Sequence, residues 1–282
     1  MTKTFNQMNT PENTLMIVDS LNLAFRYKHS KAVDFCTDYM RTVDSFKKSY
    51  KASKVIIAGD MGSSSYRKNL SAIYKQNRKD KYADQTEEEK EEFEAFFAEV
   101  QGILQKYESD GIYRVARFPG TEADDIAAYI VSKRRHLSVD NIWLISSDKD
   151  WDLLVTDNVS RFSYVTRKEI TVDNWSEHYD FSMDEYISIK CLMGDSGDNV
   201  LGVPGIGPKR AHQLVQEYGS TYDIIAALPI TSKYKYISAL NTFGGDNLML
   251  NYQLMDLVTY CKDAIGEDNC KTLDKMLEEY AC

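Results

Sequence analysis

The sequence predicts an α/β fold with a mostly parallel central sheet and flanking helices. Four short apolar runs have the length and composition of buried strands, and stretches with helical periodicity separate them. The runs are Leu15–Val18, Val55–Ala58, Ile112–Val115 and Ile142–Ile145. Strands that alternate with helices are typical of parallel sheets, because each parallel connection requires a crossover.

The other elements follow from the same kind of pattern. Three amphipathic helices are predicted, at Ala32–Tyr50, Glu87–Tyr107 and Ala123–Arg135. A β-hairpin is predicted at Arg161–Val165 and Glu169–Val172, and the pattern is helical from Met183 onward. We therefore expect an α/β domain over residues 1–180 and a helical C-terminal part over residues 181–282.

Composition and charge exclude several classes of protein. The 282 residues are 43% apolar and 27% charged, which is a globular rather than a disordered or fibrous composition. There is no apolar signal core, no run near the ~18 residues of a membrane span, and no Cys-x-x-Cys pair among five cysteines. We expect a cytoplasmic protein without a membrane partner. A net charge of −9 argues, taken alone, against a nucleic-acid partner.

Nine acidic residues lie where the predicted strands end or where loops begin. They are Asp19, Asp60, Glu122, Asp124, Asp125, Asp148, Asp150, Asp195 and Asp198. A single aspartate after a strand usually caps the next helix. In a parallel sheet, however, the carboxyl ends of the strands meet at one edge, so several of these side chains are expected to lie together there.

Such a cluster of carboxylates requires compensation. Two carboxylates ~4 Å apart repel by roughly 4 kcal/mol at an effective dielectric of ~20. The cluster is therefore stable only with bound cations or protons. Oxygen ligands without His or Cys favour Mg²⁺ or Mn²⁺. Two such ions activate a water and stabilise the leaving oxygen of a phosphodiester.

Two further segments have a marked composition. A basic block between Met61 and Tyr82 has tyrosines embedded in it, a pattern that suits a strand of nucleic acid. The acidic run from Asp84 to Glu99 is interpreted as the solvated start of a helix, where glutamates suit the positive end of the dipole. The glycine-rich step Gly202–Gly207 is either a tight turn between core helices or a hairpin that binds phosphate.

Together these motifs resemble the structure-specific 5′-nucleases, the flap endonucleases and 5′→3′ exonucleases with a PIN-like fold, most closely the T-odd bacteriophage type. The resemblance extends from about Leu15 to about Ala264. It rests on Val18-Asp19-Ser20-Leu21-Asn22, Gly59-Asp60, Arg67 with Tyr74-Lys75-Gln76-Asn77-Arg78, Gly120-Thr121-Glu122-Ala123-Asp124-Asp125, Ser147-Asp148-Lys149-Asp150, Gly194-Asp195-Ser196-Gly197-Asp198-Asn199 and Gly202–Gly207. One departure is Ser20, where many relatives have glycine.

The resemblance implies roles for individual residues. Two or more Mg²⁺ or Mn²⁺ ions are implied, one region held by Asp19, Asp60, Glu122, Asp124 and Asp125 and a second by Asp148, Asp150, Asp195 and Asp198. Lys75 and Arg78 match the catalytic basic pair that contacts the scissile phosphate, and Tyr74 is expected to stack on a neighbouring base.

The resemblance also implies two DNA-binding elements. One is a helical arch over the active site at about residues 70–98. The other is a helix–hairpin–helix at about residues 200–219, which binds the duplex backbone together with K⁺. The implied DNA-binding residues are Arg26, Arg67, Tyr74, Gly202, Gly205, Gly207, Lys209 and Arg210.

The expected function is therefore a divalent-metal-dependent 5′-nuclease. It would hydrolyse DNA phosphodiesters at 5′ flaps, forks and exposed 5′ ends, as a monomer acting on branched DNA in phage DNA replication. Two alternatives remain open on the sequence. One is a non-catalytic protein that binds branched DNA, and the other is a PIN-like ribonuclease, which would usually lack the hairpin and the arch.

Overall fold

A computed structural model describes residues 13–28 and 35–281 of the chain. Its centre is a six-stranded sheet with the strand order β3-β2-β1-β4-β5-β6. The strands are β1 (Thr14–Asp19), β2 (Lys54–Ala58), β3 (Arg114–Ala116), β4 (Asn141–Ile145), β5 (Val159–Ser163) and β6 (Lys168–Ile170). The first five strands are parallel, and β6 pairs antiparallel with β5 as the predicted hairpin.

Helices connect and follow these strands. They are α1 (Ser20–Lys28), α2 (Phe35–Ser49), α3 (Ser65–Leu70), α4 (Gln76–Ala83), α5 (Glu87–Asp110), α6 (Ala123–Ser132), α7 (Trp175–His178), α8 (Met183–Met193), α9 (Pro208–Tyr218), α10 (Thr221–Ala227), α11 (Lys235–Met255), α12 (Leu257–Ile265) and α13 (Glu267–Ala281). The predicted α/β class and the helical C-terminal part are thus confirmed. Residues 32–34 of the predicted helix Ala32–Tyr50 lie outside the described residues.

The described residues divide into two compact units. The sheet unit comprises the residues up to Ser64, Gln85–Trp175 and those from Leu257 onward. The helical unit comprises Ser65–Asp84 and Ser176–Asp256. This division differs from the expected boundary at residue 180, since α3 and α4 group with the helical unit while α12 and α13 group with the sheet unit.

Central strand β1 explains how the sheet unit is layered. All six of its residues are buried. Leu15 and Ile17 pack on one face of the sheet with apolar residues of α6, α12 and α13. Met16 and Val18 pack on the other face with residues of α1, α2 and α5. Because side chains alternate along a strand, a strand buried on both faces needs the continuous apolar run that the sequence shows.

Helix α5 accounts for the acidic run of the sequence. Its first turn carries Glu87, Glu88 and Glu89, and Thr86 closes a capping box with Glu89. These glutamates are exposed. Further along, Phe96 and Val100 turn inward to the core. The predicted arch segment, about residues 70–98, thus contains α4 of the helical unit and the first half of α5 of the sheet unit.

No helix in the part of the chain that the structure describes has both the length and the apolar character needed to cross a membrane.

A buried ion pair anchors the loop that follows β4. Arg161 on β5 makes a two-pronged contact with Asp152, and its Nη2 lies 2.8 Å from Asp152 Oδ2. Nη1 of the same guanidinium donates to the carbonyl of Ser146 at 2.9 Å. Both side chains are almost inaccessible, at 4% and 0% exposure. The loop that carries Asp148 and Asp150 is therefore fixed at both of its ends.

Removing one member of this pair should destabilise the protein strongly. Asp152→Ala leaves the Arg161 charge buried without its partner, which costs about 3–5 kcal/mol of unfolding free energy. Denaturant unfolding measures this loss. The matched control is Lys271→Ala, which breaks exposed pairs with Glu267 and Asp268 and should change the free energy by less than about 1 kcal/mol. Equal effects of the two variants would contradict an anchoring role for Asp152.

Candidate active site

The end of strand β1 presents a buried carboxylate. Asp19 is the last residue of the strand and only 4% exposed. Its Oδ1 accepts a hydrogen bond from the Asn22 backbone N–H at 3.1 Å, and its Oδ2 accepts one from Ser146 Oγ at 2.8 Å. These bonds orient the side chain from the first turn of α1 on one side and from the end of β4 on the other.

Asp19 also experiences the charges of two neighbouring carboxylates. Burial holds its pKa well above the usual range, and the charges of Asp60 and Asp148 raise it further. Hydrogen bonds from Ser146 and Asn22 act in the opposite direction but do not cancel the effect. Asp19 ends β1, and Asp60 and Asp148 follow β2 and β4, so these three carboxylates lie together at the carboxyl edge of the sheet.

The start of α6 contributes the next carboxylates. Glu122 precedes the helix, is 3% exposed, and accepts a hydrogen bond from the Ser64 N–H at 3.1 Å. Asp60 Oδ1 in turn accepts from the Ala123 N–H at 3.1 Å. The loop after β2 and the start of α6 are thereby tied together through the same acidic residues that the sequence singles out.

Consecutive residues Asp124 and Asp125 have different surroundings. Asp124 Oδ1 accepts a hydrogen bond from Trp151 Nε1 at 2.5 Å. Asp125 is fully buried, and together with burial its charge raises the pKa of Cys261 on α12 to about 11. Asp124 is therefore held toward the loop after β4, whereas Asp125 lies near the packing surface between α6 and α12.

The loop after β4 holds Asp148 and Asp150 in a compact turn. Asp148 Oδ1 accepts a hydrogen bond from the Asp150 N–H at 2.9 Å, and the Asp148 N–H donates to Ser146 Oγ at 3.1 Å. Ser146 therefore contacts both Asp19 and the backbone of Asp148. Its small hydroxyl side chain couples the ends of two strands.

The donor chemistry of this group of carboxylates fits a hard divalent cation. Every side chain offers oxygen, and burial together with the charges of Asp60 and Asp148 raises the pKa of Asp19, so a bound cation would stabilise its charged form. In the described residues, no three His, Cys, Asp or Glu side chains are arranged to hold one metal ion. The carboxylates are instead oriented by the protein's own hydrogen bonds.

The helical unit contains a second acidic loop, at Gly194–Asn199. Asp195 Oδ1 accepts hydrogen bonds from the N–H groups of Gly197 and Asp198, at 2.7 and 3.2 Å. An antiparallel bridge between Asp195 and Val200 closes the loop. Asp195 is thus engaged in shaping this loop.

Asp198 contacts both members of the basic pair that the sequence analysis identifies, Lys75 and Arg78. Arg78 Nη2 lies 2.6 Å from Asp198 Oδ1, and Lys75 Nζ lies 3.6 Å from Oδ2. Tyr74 donates its hydroxyl to the same Oδ2 at 2.9 Å. Unlike Asp19, Asp198 therefore has its charge compensated by two cations. The structure brings Lys75, Arg78 and Asp198 together in one unit, and it places Asp148 and Asp150 in the other.

Two predicted DNA contacts require correction. Tyr74 is 3% exposed and packs with Cys191, Val200 and Leu254, so its ring is not available in this structure to stack on a base. Arg67 is 2% exposed and donates through Nε to the Leu254 carbonyl at 2.8 Å. Both residues support the packing of α3 and the following turn against α11.

The glycine-rich step leads into helix α9 as the resemblance implies. Pro208 occupies the first turn of α9, directly after Gly207. Lys209 and Arg210 are exposed, and Arg210 Nη1 donates to the Gly205 carbonyl at 2.6 Å. Gly205 has a φ of +80°, which favours glycine.

Gly202 is required because the backbone at Met193 packs closely against it, and not because a ligand approaches it. A Cβ atom at this position would lie 1.9 Å from the Met193 carbonyl oxygen, so only glycine fits. Arg26, by contrast, is exposed near the end of α1, which is compatible with the DNA contact predicted for it.

The sequence alone does not single out the residues that orient the carboxylates. Trp151, Ser146 and the pair Asp152 with Arg161 belong to this group. A signal existed for Arg161, which is a charged residue inside a predicted strand. Trp151 and Asp152 directly follow the Asp148-Lys149-Asp150 motif but have the ordinary pattern of a buried turn.

The raised pKa of Asp19 predicts that this carboxylate destabilises the metal-free protein at neutral pH. Because its pKa is higher in the folded protein than the ordinary 3.8, its proton stabilises the fold as the pH falls, and this contribution is lost as the pH rises through the raised pKa. In chelator at pH 7, Asp19→Asn should therefore raise the unfolding free energy by about 1–3 kcal/mol.

Denaturant unfolding at several pH values measures this effect. The gain should shrink as the pH approaches the ordinary pKa of aspartate, and the exposed control Asp140→Asn should change little at any pH. A gain for Asp19→Asn that does not depend on pH would contradict a buried, charged Asp19.

Comparisons with known proteins place the chain in a family. Residues 14–180 match the family model of the 5′-3′ exonuclease N-terminal resolvase-like domain. Residues 181–276 match that of the 5′-3′ exonuclease C-terminal SAM fold.

Individual relatives agree with the family models. The flap endonuclease of Escherichia phage T5 is 44% identical over 267 residues, which cover 94% of this chain and 90% of the relative. The 5′-3′ exonuclease of Buchnera aphidicola from Acyrthosiphon pisum is 29% identical over 222 residues, or 76% of this chain and 73% of the relative.

Solved structures show the same relationship. The T5 protein co-crystallised with metal ions superposes with a TM-score of 0.89 at 43% identity, over 95% of this chain and 100% of the other. The T5 flap endonuclease in a complex with DNA and metal ions gives the same score over 95% and 99% of the two chains. The catalytic core of Rad2, at 11% identity and a TM-score of 0.53 over 96% and 93%, shares the fold. The chain therefore belongs to the 5′-3′ exonuclease family and is a structure-specific 5′-nuclease, a hydrolase of DNA phosphodiester bonds.

Proposed function

We propose that this nuclease uses two or more divalent ions, Mg²⁺ or Mn²⁺, to cleave DNA at 5′ flaps, forks and exposed 5′ ends. The observation that carries the proposal is the buried Asp19, whose pKa is raised by burial and by the charges of Asp60 and Asp148. The T5 relatives crystallised with metal ions and with DNA support it. Oxygen-only ligands favour Mg²⁺ or Mn²⁺ over softer ions.

The carboxylates of the sheet unit would hold the metal ions. They are Asp19, Asp60, Glu122, Asp124, Asp125, Asp148 and Asp150. Bound divalent ions would supply positive charge that offsets the negative charge growing on the phosphate during hydrolysis. Hydrogen bonds from Ser146, Asn22, Ser64 and Trp151 fix the directions of three of these ligands, Asp19, Glu122 and Asp124.

Lys75 and Arg78 would contact the scissile phosphate. In this structure both form ion pairs with the Asp198 carboxylate. A phosphodiester carries the same charge as this carboxylate and also offers two oxygens, so it could take the place of Asp198. The guanidinium binds two phosphate oxygens at once, and the ammonium adds a compact charge. Asp195 and Asp198 are proposed to complete the second metal region, and for Asp198 this requires release of the two cations.

The hairpin before α9 would bind the duplex backbone. Gly205, Gly207, Lys209 and Arg210 are exposed, and the first N–H groups of α9 suit a phosphate oxygen. K⁺ at this hairpin is part of the proposal. The packing of the helical unit depends on Gly202, Arg67 and Tyr74, which are therefore left out of the proposed interface. Arg26 remains a proposed DNA contact. We also propose that the protein acts as a monomer in the cytoplasm of a bacterial host. The flap endonuclease of Escherichia phage T5 supports a role in phage DNA replication.

A cleavage assay tests this function and separates it from the two alternatives. Labelled 5′-flap DNA and a single-stranded RNA of matched sequence are incubated with Mg²⁺, with Mn²⁺ and with chelator. Metal-dependent cutting of the flap is expected. Uncut flap DNA that stays tightly bound would favour the non-catalytic binder, and preferential cutting of the RNA would favour the ribonuclease.

The same assay tests the carboxylate after β4. Asp150→Asn should lower the cleavage rate by roughly 10- to 100-fold or more, since the lost negative charge weakens metal binding, and it should leave DNA affinity unchanged. Asp157→Asn, an exposed aspartate a few residues further along, is the matched control and should retain full activity. Unchanged turnover in Asp150→Asn would remove this residue from the metal site.

A further inference from the structure

Ser20 departs from the family resemblance, since many relatives have glycine at this position. It is the first residue of α1 and directly follows Asp19, the last residue of β1. The residue is only 1% exposed. A buried hydroxyl costs free energy unless it forms a hydrogen bond, so the partner of this one has to be identified.

The cap of helix α1 is not the task of the Ser20 hydroxyl. Asp19 precedes the helix, and its Oδ1 accepts the hydrogen bond from the Asn22 N–H at 3.1 Å. An N-cap side chain makes this contact with the third residue of a helix. Ser20 Oγ is buried and has no hydrogen-bond partner among the residues that the structure describes. The hydroxyl is therefore not needed to begin α1.

The Ser20 hydroxyl lies between the two chain segments that carry the first two carboxylates. A Cβ atom placed on Gly59 would lie 3.6 Å from Ser20 Oγ, so the hydroxyl is next to the glycine that precedes Asp60. On the other side, Ser20 is bonded to Asp19. The charge of Asp60 raises the pKa of Asp19, which places the two carboxylates close together. The hydroxyl is thus a neighbour of both.

Other groups supply the hydrogen bonds that orient these two carboxylates. Asp19 Oδ2 accepts from Ser146 Oγ at 2.8 Å, and Asp60 Oδ1 accepts from the Ala123 N–H at 3.1 Å. Ser20 therefore offers hydrogen-bonding capacity beside carboxylates that are already oriented. A serine hydroxyl can accept as well as donate, so a ligand held by the carboxylates can use it as an acceptor.

A hydrated divalent ion is a ligand with the matching chemistry. Mg²⁺ keeps several of its water molecules when it binds to a protein. The ion polarises these waters, which makes them strong hydrogen-bond donors. A buried acceptor next to the carboxylates would bind such a water, and no other group in the structure is proposed to do so.

We propose that Ser20 Oγ accepts a hydrogen bond from the hydration shell of the divalent ion that Asp19 and Asp60 hold. Ser20 thus contacts the ion through water rather than directly, and it increases the affinity of this chain for Mg²⁺. The hydrogen bond offsets the cost of burying the hydroxyl. This rests on the proposed function, since it adds a residue to the same metal site.

Thermal unfolding without DNA tests this role of Ser20. The full-length protein, Ser20→Ala, Ser20→Thr and Tyr107→Phe are unfolded in chelator and at increasing Mg²⁺ concentrations. For each protein, the reading is the Mg²⁺ concentration that raises Tm by a fixed increment above its own value in chelator. This concentration follows the dissociation constant of the metal, and differences in basal stability between the variants do not enter it.

Ser20→Ala should change basal stability and metal binding in opposite directions. In chelator, removal of a buried hydroxyl without a partner should raise Tm by about 2–4 °C. With metal, the Mg²⁺ concentration needed for the fixed increment should rise about tenfold, as when other groups that support metal ligands are removed. A residue with a purely structural role would change only the Tm in chelator.

Two variants serve as controls. Tyr107→Phe removes another buried hydroxyl that has no partner in the described part of the chain. Burial and then Asp44, Tyr113 and Cys36 raise the pKa of this tyrosine, and none of these residues belongs to the metal site. Tyr107→Phe should therefore keep the Mg²⁺ response. Ser20→Thr retains a hydroxyl and should also keep it, even with a lower Tm in chelator caused by the added methyl group.

Two results would overturn the role of Ser20. A Mg²⁺ response of Ser20→Ala equal to that of the unmodified protein would remove the residue from the metal site. A lower Tm of Ser20→Ala in chelator would show that the hydroxyl already has a partner in the metal-free protein. Failure of Mg²⁺ to raise the Tm of the unmodified protein would instead overturn the proposed metal site itself.

Discussion

The structure depends on a constraint at one edge of the sheet, where a buried carboxylate lies close to other negative charges. Asp19 ends the central strand, and burial together with Asp60 and Asp148 raises its pKa. A parallel sheet forces this arrangement, because the residues that follow neighbouring strands leave from the same edge. The fold thus brings together charges that repel one another, and a divalent cation relieves the repulsion while gaining the oxygen ligands it prefers.

Other interactions around this edge act as supports for the carboxylates. Ser146 contacts Asp19 and the Asp148 backbone, Trp151 holds Asp124, and Arg161 with Asp152 anchors the loop between them. In the helical unit, by contrast, Asp198 forms ion pairs with two cations, Lys75 and Arg78. In the sheet unit, neighbouring acids raise the pKa of a buried carboxylate, whereas in the helical unit an acid contacts two cations that could bind a phosphate.

Much of the fold was predictable because the signals are local. The buried strands are continuous apolar runs, and α5 begins with a capping box in the acidic run. Long-range packing was not predictable. Arg67 and Tyr74 lie in a basic, tyrosine-containing segment that suggests nucleic acid, but both are buried by contacts with Leu254, far along the chain. The division into units also departs from chain order, because α12 packs with α6 on the sheet. The roles of individual site residues stay predictions.

The central claim is that a divalent cation compensates the charge of Asp19. Thermal unfolding with and without Mg²⁺, in the unmodified protein and in Asp19→Asn, tests it most directly. Because a ligand that binds only the folded state stabilises it, Mg²⁺ should raise the Tm of the unmodified protein, and the increase should largely disappear in Asp19→Asn. An equal increase in both proteins, or none in either, would contradict a metal site at this edge of the sheet.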